Sequence, residues 1–222
     1  MHASRQTTAP APTGHPRQIG RYRVERYLGS GAFGAVYLAY DDQMQRPVAI
    51  KVAHPELTAQ PEQLAACLAE SRHAAAISHP HIVPVYEVGS TDAFPCFVVC
   101  RFIEGTSLTA RLSRSRVSFG ESVDLIAMVA GALDAAHTRK LVHGDIHPGN
   151  LLFDADGNVF LSDFSPTLVC GQRLAGTPEY MSPEQIRGEE HRIDAHSDIF
   201  SLGVVFYEML TGRRPFSGDS FA

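Results

Sequence analysis

Gly29-Ser30-Gly31-Ala32-Phe33-Gly34-Ala35-Val36 is the stretch on which the fold turns. A β-like run, Tyr22–Leu28, leads into it and a second, 35–40, leaves it. A third, Pro47-Val48-Ala49-Ile50-Lys51-Val52, follows the polar turn Asp41-Asp42-Gln43. The spacing G-x-G-x-x-G also occurs in dinucleotide-binding folds, but there the glycines open a helix and an acidic residue ends the next strand about 20 positions on. Neither feature is present. What remains is a loop between two antiparallel strands, either a plain glycine-rich hairpin or one whose glycines let backbone N–H groups come close to phosphates. Lys51 supports the second. A lone charge on an apolar strand is costly to bury unless paired, and the chain has only two lysines, Lys51 and Lys140. Between Pro61 and Ile77 the positions Leu64, Cys67, Leu68, Ser71 and Ala75 step by three and four, which predicts a helix. Glu70 on that helix is the expected carboxylate partner of Lys51.

Outward from this core the chain divides into a β-rich first half and a helical second half. Residues 1–18, rich in Ala, Pro, Thr and His, read as a disordered leader. Strands are expected at 82–88 and 94–102. Ser118 with Glu121 is a capping-box pattern opening a helix that runs to about His137, with Val123, Ile126, Ala127, Ala130 and Leu133 as its buried face. Leu151–Phe153 and Val159–Leu161 flank Asp154-Ala155-Asp156-Gly157-Asn158 as a hairpin. The run 199–210 is apolar nearly all round and is expected to be buried.

Composition narrows the function. Of 222 residues 44% are apolar, enough for a real core, and the formal net charge of −5 argues against nucleic acid as partner. No apolar run approaches the roughly 18 residues that cross a bilayer, and no secretory leader opens the chain. Cys67, Cys96, Cys100 and Cys170 lack paired spacing, so reduced thiols in a cytoplasmic setting are expected. His143 and His147 are four apart, but a following Pro148 and a missing Glu exclude a helical zinc site. The 154–157 segment fails as a calcium loop because its glycine comes too early.

The glycine loop, Val48-Ala49-Ile50-Lys51 and the helical Glu70 together resemble the small lobe of a eukaryotic-type, bacterial-like Ser/Thr protein kinase. The family's other signatures follow in order. His143-Gly144-Asp145-Ile146-His147-Pro148-Gly149-Asn150 resembles the catalytic loop, Asp163-Phe164-Ser165 the Asp-Phe-Gly element, and Ser182-Pro183-Glu184 Ala-Pro-Glu. Gly176–Met181 resembles the substrate-facing segment and Asp198–Gly203 the start of the central helix.

The resemblance implies an α+β, two-lobed fold with residues 19–104 as small lobe and hinge and 105–222 as an incomplete large lobe. It implies transfer of the ATP γ-phosphoryl group to a Ser/Thr hydroxyl of a protein, with Mg²⁺ as companion ion. Asp145 would accept the hydroxyl proton. Lys51, held by Glu70, would present its ammonium to the α- and β-phosphates, and Asn150 and Asp163 would be metal ligands. Leu28, Gly29, Gly31, Gly34, Val36, Ala49 and Leu152 would enclose the nucleotide, with Cys100 beside the adenine, Arg101 and Ile103 offering backbone groups, and Glu104 near the ribose. His143, Phe164 and Asp198 would anchor backbone.

The chain departs from the family at Gly144 for an Arg that receives a phosphate, at His147 for a Lys, and at Ser165 for a Gly. Without that Arg, phosphate at Thr167 has no evident local partner. His-Gly-Asp-Ile-His-Pro-Gly-Asn also resembles the loop of aminoglycoside and choline phosphotransferases. The alternatives are therefore a pseudokinase that binds nucleotide as a scaffold, and a small-molecule phosphotransferase. The family's later helices, with an Arg for Glu184, do not appear before Ala222. The expectation is an unpaired buried Glu184, an uncovered apolar central helix and self-association.

Overall fold

A computed structural model describes residues 15–31, 33–164 and 177–216. Most of the leader, and Ser165, Thr167, Cys170 and Gly176, lie outside the described residues. An antiparallel sheet of six strands comes first: β1 (Gln18–Ile19), β2 (Tyr22–Ser30), β3 (Gly34–Asp41), β4 (Arg46–Ala53), β5 (Val85–Gly89) and β6 (Phe97–Arg101), in the order β1-β2-β3-β4-β6-β5. Residues 15–18, assigned to the leader from sequence, are tied to this sheet: His15 stacks on Tyr27 and Val24 N donates to Arg17 O.

Strand periodicity places the chemistry. Side chains alternate between faces, so Val48 and Ile50 of β4 and Phe97 and Val99 of β6 pack into one cluster with Tyr22 and Tyr37. Ala49, Lys51, Val98 and Cys100 face the other way, and Lys51 lies opposite Val98 and Ala49 opposite Cys100. Against that second face packs helix α1 (Pro61–Ala75), which buries Cys67, Ser71 and Ala74. The expected strand 82–88 begins only at Val85; before it, Ile82 forms a parallel bridge with Leu161, and Leu161 N donates to His81 O.

The second half is helical around a small sheet of β7 (Gly105–Ser107), β8 (Leu151–Asp154) and β9 (Val159–Leu161). The hairpin turn forms as expected, with Asp154 Oδ1 accepting from Asp156 N and Asn158 N. Helices α2 (Leu108–Leu112), α3 (Phe119–His137), α4 (Pro183–Ile186) and α5 (Ala195–Thr211) complete it. Leu125, Val129 and Leu133 of α3 and Leu202, Val205 and Met209 of α5 form its core with Ile146 and Leu151. No helix among the described residues is long and apolar enough to cross a membrane.

Three expectations need correction. The Ser118 capping box is half made: Ser118 Oγ accepts from Glu121 N, but the Glu121 carboxylate goes to Arg111. The buried face of α3 is Leu125, Val129, Ala132, Leu133 and Ala136, while Val123 and Ala127 are exposed. Helix α3 is apolar on more than one side, and the position of α5 decides which stripe is covered. Helix α5 itself is not buried all round: Ile199, Tyr207 and Leu210 are exposed.

Candidate active site

The two halves meet at a cleft of about 380 Å³. Its roof is the glycine loop, where Leu28, Gly29, Gly31 and Gly34 line the space with Val36 of β3. Gly34 has a steric reason: a Cβ there would lie 1.7 Å from Val52 O, inside the β3–β4 pair. Gly31 N donates to Gly34 O and His54 N to Phe33 O, which fixes the loop's return.

The floor is the 143–150 loop. Asp198 of α5, 1% exposed, accepts from His143 N and Gly144 N at 2.8 Å each and contacts His137 Nε2 at 2.7 Å. Gly144 sits at φ 74°, a left-handed conformation that favours glycine, and its carbonyl accepts from Gln185 Nε2. His143 bonds the Ser162 carbonyl and meets the Phe164 ring edge-on. The backbone around Asp145 is therefore held from three sides. Neither Gln185 nor His137 carries a sequence signal of its own; both act through contacts between distant elements.

Asp145 and its neighbours face the cleft. Asn150 Nδ2 donates to Asp145 O at 2.9 Å, which leaves its side-chain oxygen as an acceptor. Gly149 N donates to His147 Nδ1, so the proton of the neutral ring lies on Nε2, the nitrogen 3.6 Å from Asp145 Oδ2. Thr177 N reaches Asp145 Oδ1 at 3.4 Å.

Across from them Lys51 Nζ makes an ion pair with Asp163, not with Glu70. This overturns the expected Lys51–Glu70 pair. Burial opposes charge on both partners, but their mutual attraction outweighs it: the Lys51 ammonium is held above its usual range and the Asp163 carboxyl below. Glu70, half-buried on α1, is pushed by burial up to about 7. The face of α1 turned to the cleft presents Ser71 instead, in a second, small cavity of about 30 Å³ that also reaches Lys51, Asp163 and Cys100.

The expected adenine end is assembled apart from this polar cleft. Ala49 lies opposite Cys100, Ile103 is buried with Cys100 and Phe160, and Leu152 packs against them. Arg101 N is already bonded to Pro84 O, while its guanidinium lies over Phe160. Glu104 is exposed beside it. Burial raises the Cys100 thiol, with Asp163 adding to the effect and Lys51 opposing it.

The protein kinase domain family matches residues 22–221. The chain belongs to that family. It is 36% identical over 213 residues to the serine/threonine-protein kinase PknA of Mycobacterium tuberculosis, covering 90% of this chain and 49% of the relative. It is 39% identical over 215 residues to the PknA serine/threonine-protein kinases of Corynebacterium glutamicum, covering 90% and 45%. The chain thus spans about half the length of the curated relatives it matches. The crystal structure of the M. tuberculosis PknI kinase domain superposes with a TM-score of 0.72 at 28% identity, covering 89% of this chain and 75% of that one. The two-lobed α+β architecture is therefore that of a serine/threonine-protein-kinase domain.

Among the described residues no three His, Cys, Asp or Glu side chains cluster as a complete cage. Asn150 and Asp163, one amide oxygen and one carboxylate on the same cleft, suit a hard ion that keeps waters and phosphate oxygens as its other ligands, as Mg²⁺ does. Glu184 also departs from expectation. It is not left without a partner: Ser197 donates to it, and although burial opposes ionisation, that bond and Ser182 hold its carboxyl below the usual range.

Proposed function

We propose that this domain transfers the γ-phosphoryl group of ATP to a serine or threonine hydroxyl of a protein, with Mg²⁺, in a cytoplasmic setting. The observation that carries the reading is the convergence of Lys51, Asp145, Asn150 and Asp163 beneath a glycine loop in one cleft. Phosphoryl transfer asks the protein for positioning and charge neutralisation more than for covalent chemistry, and these residues supply both. Loop N–H groups and Lys51 bind the phosphates. Asp145 orients the acceptor hydroxyl and takes its proton. His147 presents Nε2 next to Asp145, where it can donate to the transferred group. Asn150 and Asp163 would hold Mg²⁺, which supplies neutralisation of the phosphate charge.

Lys51 must leave Asp163 for phosphate before that metal pair is complete. The ion pair seen here therefore favours a second reading, a nucleotide-binding scaffold with little transfer. One experiment separates them: thermal unfolding with and without Mg-ATP, then radiolabel transfer from γ-labelled ATP to a basic acceptor protein, for the parent and Lys51→Met. Stabilisation with label transfer that Lys51→Met abolishes is the expected result. Stabilisation without transfer would leave the scaffold reading standing.

A further inference from the structure

Cys67 on α1 and Cys96, the residue before β6, bring their sulfurs to 3.2 Å, with the Cys67 thiol donating to Cys96. Both are buried, at 0% and 1% exposure, and both are thiols here. Each belongs to a different part of the small lobe. Cys67 lies three residues before Glu70 and one turn before Ser71. Cys96 is anchored to the sheet, its carbonyl accepting from Ala53 N at the end of β4. Among the described residues α1 has no backbone hydrogen bond to the sheet, so its position rests on side-chain contacts, and a covalent link at this point would fix it.

We propose that Cys67 and Cys96 are a peroxide-oxidisable dithiol whose disulfide clamps α1 to the sheet in the present arrangement, with Ser71 and Ala74 of α1 against Lys51 and Asp163 and Lys51 held by Asp163, and so shuts off phosphoryl transfer. The second clause rests on the kinase reading above; the first does not. A disulfide needs the sulfurs to close to about 2.05 Å, a shift of roughly an ångström for two side chains already in contact. The hydrogen bond from Cys67, against the opposing effect of burial, and then Ser71 and the charge of Arg72, hold the Cys96 thiol below its ordinary range. That makes Cys96 the attacking sulfur, since the thiolate is the nucleophile.

The step balances with hydrogen peroxide as the oxidant. The Cys96 thiolate attacks one peroxide oxygen, the O–O bond breaks, and the departing hydroxide is protonated to water. The sulfenic acid left on Cys96 is then attacked by Cys67, which loses its proton as the S–O bond breaks and a second water leaves. Two sulfurs are oxidised by one electron each and one peroxide is reduced to two waters.

The test uses the full chain, reduced and then exposed to hydrogen peroxide, with non-reducing peptide mass mapping and transfer rate read on the same samples. The expected result is a Cys67–Cys96 linked peptide, two hydrogen masses lighter than its parts. The rate should fall in proportion to the linked fraction, and dithiothreitol should restore both. Cys67→Ser and Cys96→Ser should each keep the reduced parent's rate and lose the peroxide response. No such linked peptide, or a link from either residue to Cys100 or Cys170, overturns the dithiol. A complete link that leaves the rate unchanged overturns the clamp. The mapping on the parent needs no variant to fold, and it decides the dithiol by mass even if the reduced chain transfers no phosphate, a failure that would count against the kinase reading alone.

Discussion

Replacing Glu70 by Gln should stabilise this domain at alkaline pH and leave it unchanged in acid. Burial moves the Glu70 carboxyl from its ordinary 4.5 to about 7, which means that the folded state binds the proton more tightly than the unfolded chain. Stability is then fully present below about pH 4.5, falls as pH rises to about 7, and is flat above it. At about 1.4 kcal/mol per pH unit the whole displacement corresponds to about 3 kcal/mol. Glu70 is only half-buried, and the water that reaches it screens part of this, leaving about 2 kcal/mol. For a domain of this size that is about 4–8 °C in melting temperature. Thermal unfolding of the parent and Glu70→Gln across pH 4 to 9 measures it: the two curves should coincide at pH 4 and separate by that amount above pH 8. A variant that is less stable than the parent at pH 8 would refute the reasoning, because it would mean that ionised Glu70 has a cationic partner, with Lys51 the first candidate.

Asp145→Asn should retain the fold and the Mg-ATP thermal shift but lose roughly 10²–10⁴ in transfer rate; equal kcat in both proteins would remove Asp145 from its role. Asp198→Ala should leave His143 N and Gly144 N without an acceptor in the interior, at about 1–3 kcal/mol each. Asp198→Asn, which keeps one acceptor oxygen, should recover part of the loss in melting temperature. Gly34→Ala forces a methyl onto Val52 O and should cost about 1–3 kcal/mol by overpacking, read as a lower melting temperature and a weaker shift with Mg-ATP. An unchanged melting curve for Gly34→Ala would show that the β3–β4 pair opens there at little cost.

The residue types and their order along the chain were legible without coordinates. The glycine loop, Lys51, the 143–150 loop and Asp163 each carry their residue types at fixed spacing on a short segment, although the 143–150 backbone is held in place by Asp198, Gln185 and Ser162 from elsewhere in the chain. Strand alternation puts Ala49 and Lys51 on one face of β4 and Val98 and Cys100 on one face of β6, but that these are the same face of the sheet is set by the β4–β6 register. What the sequence alone could not decide is how separate elements lie against one another. Helix α3 has apolar residues on more than one side, so its buried stripe depends on where α5 packs. Glu184 is satisfied by Ser197, thirteen residues away on another helix. The orientation of α1 is the clearest case. Its spacing gives a helix and puts Glu70 near the right level, but whether Glu70 or Ser71 faces the cleft is a rotation of one residue. That rotation is fixed by side-chain packing of Leu64, Cys67 and Leu68 against the sheet, and it is why Lys51 meets Asp163 and Cys67 meets Cys96.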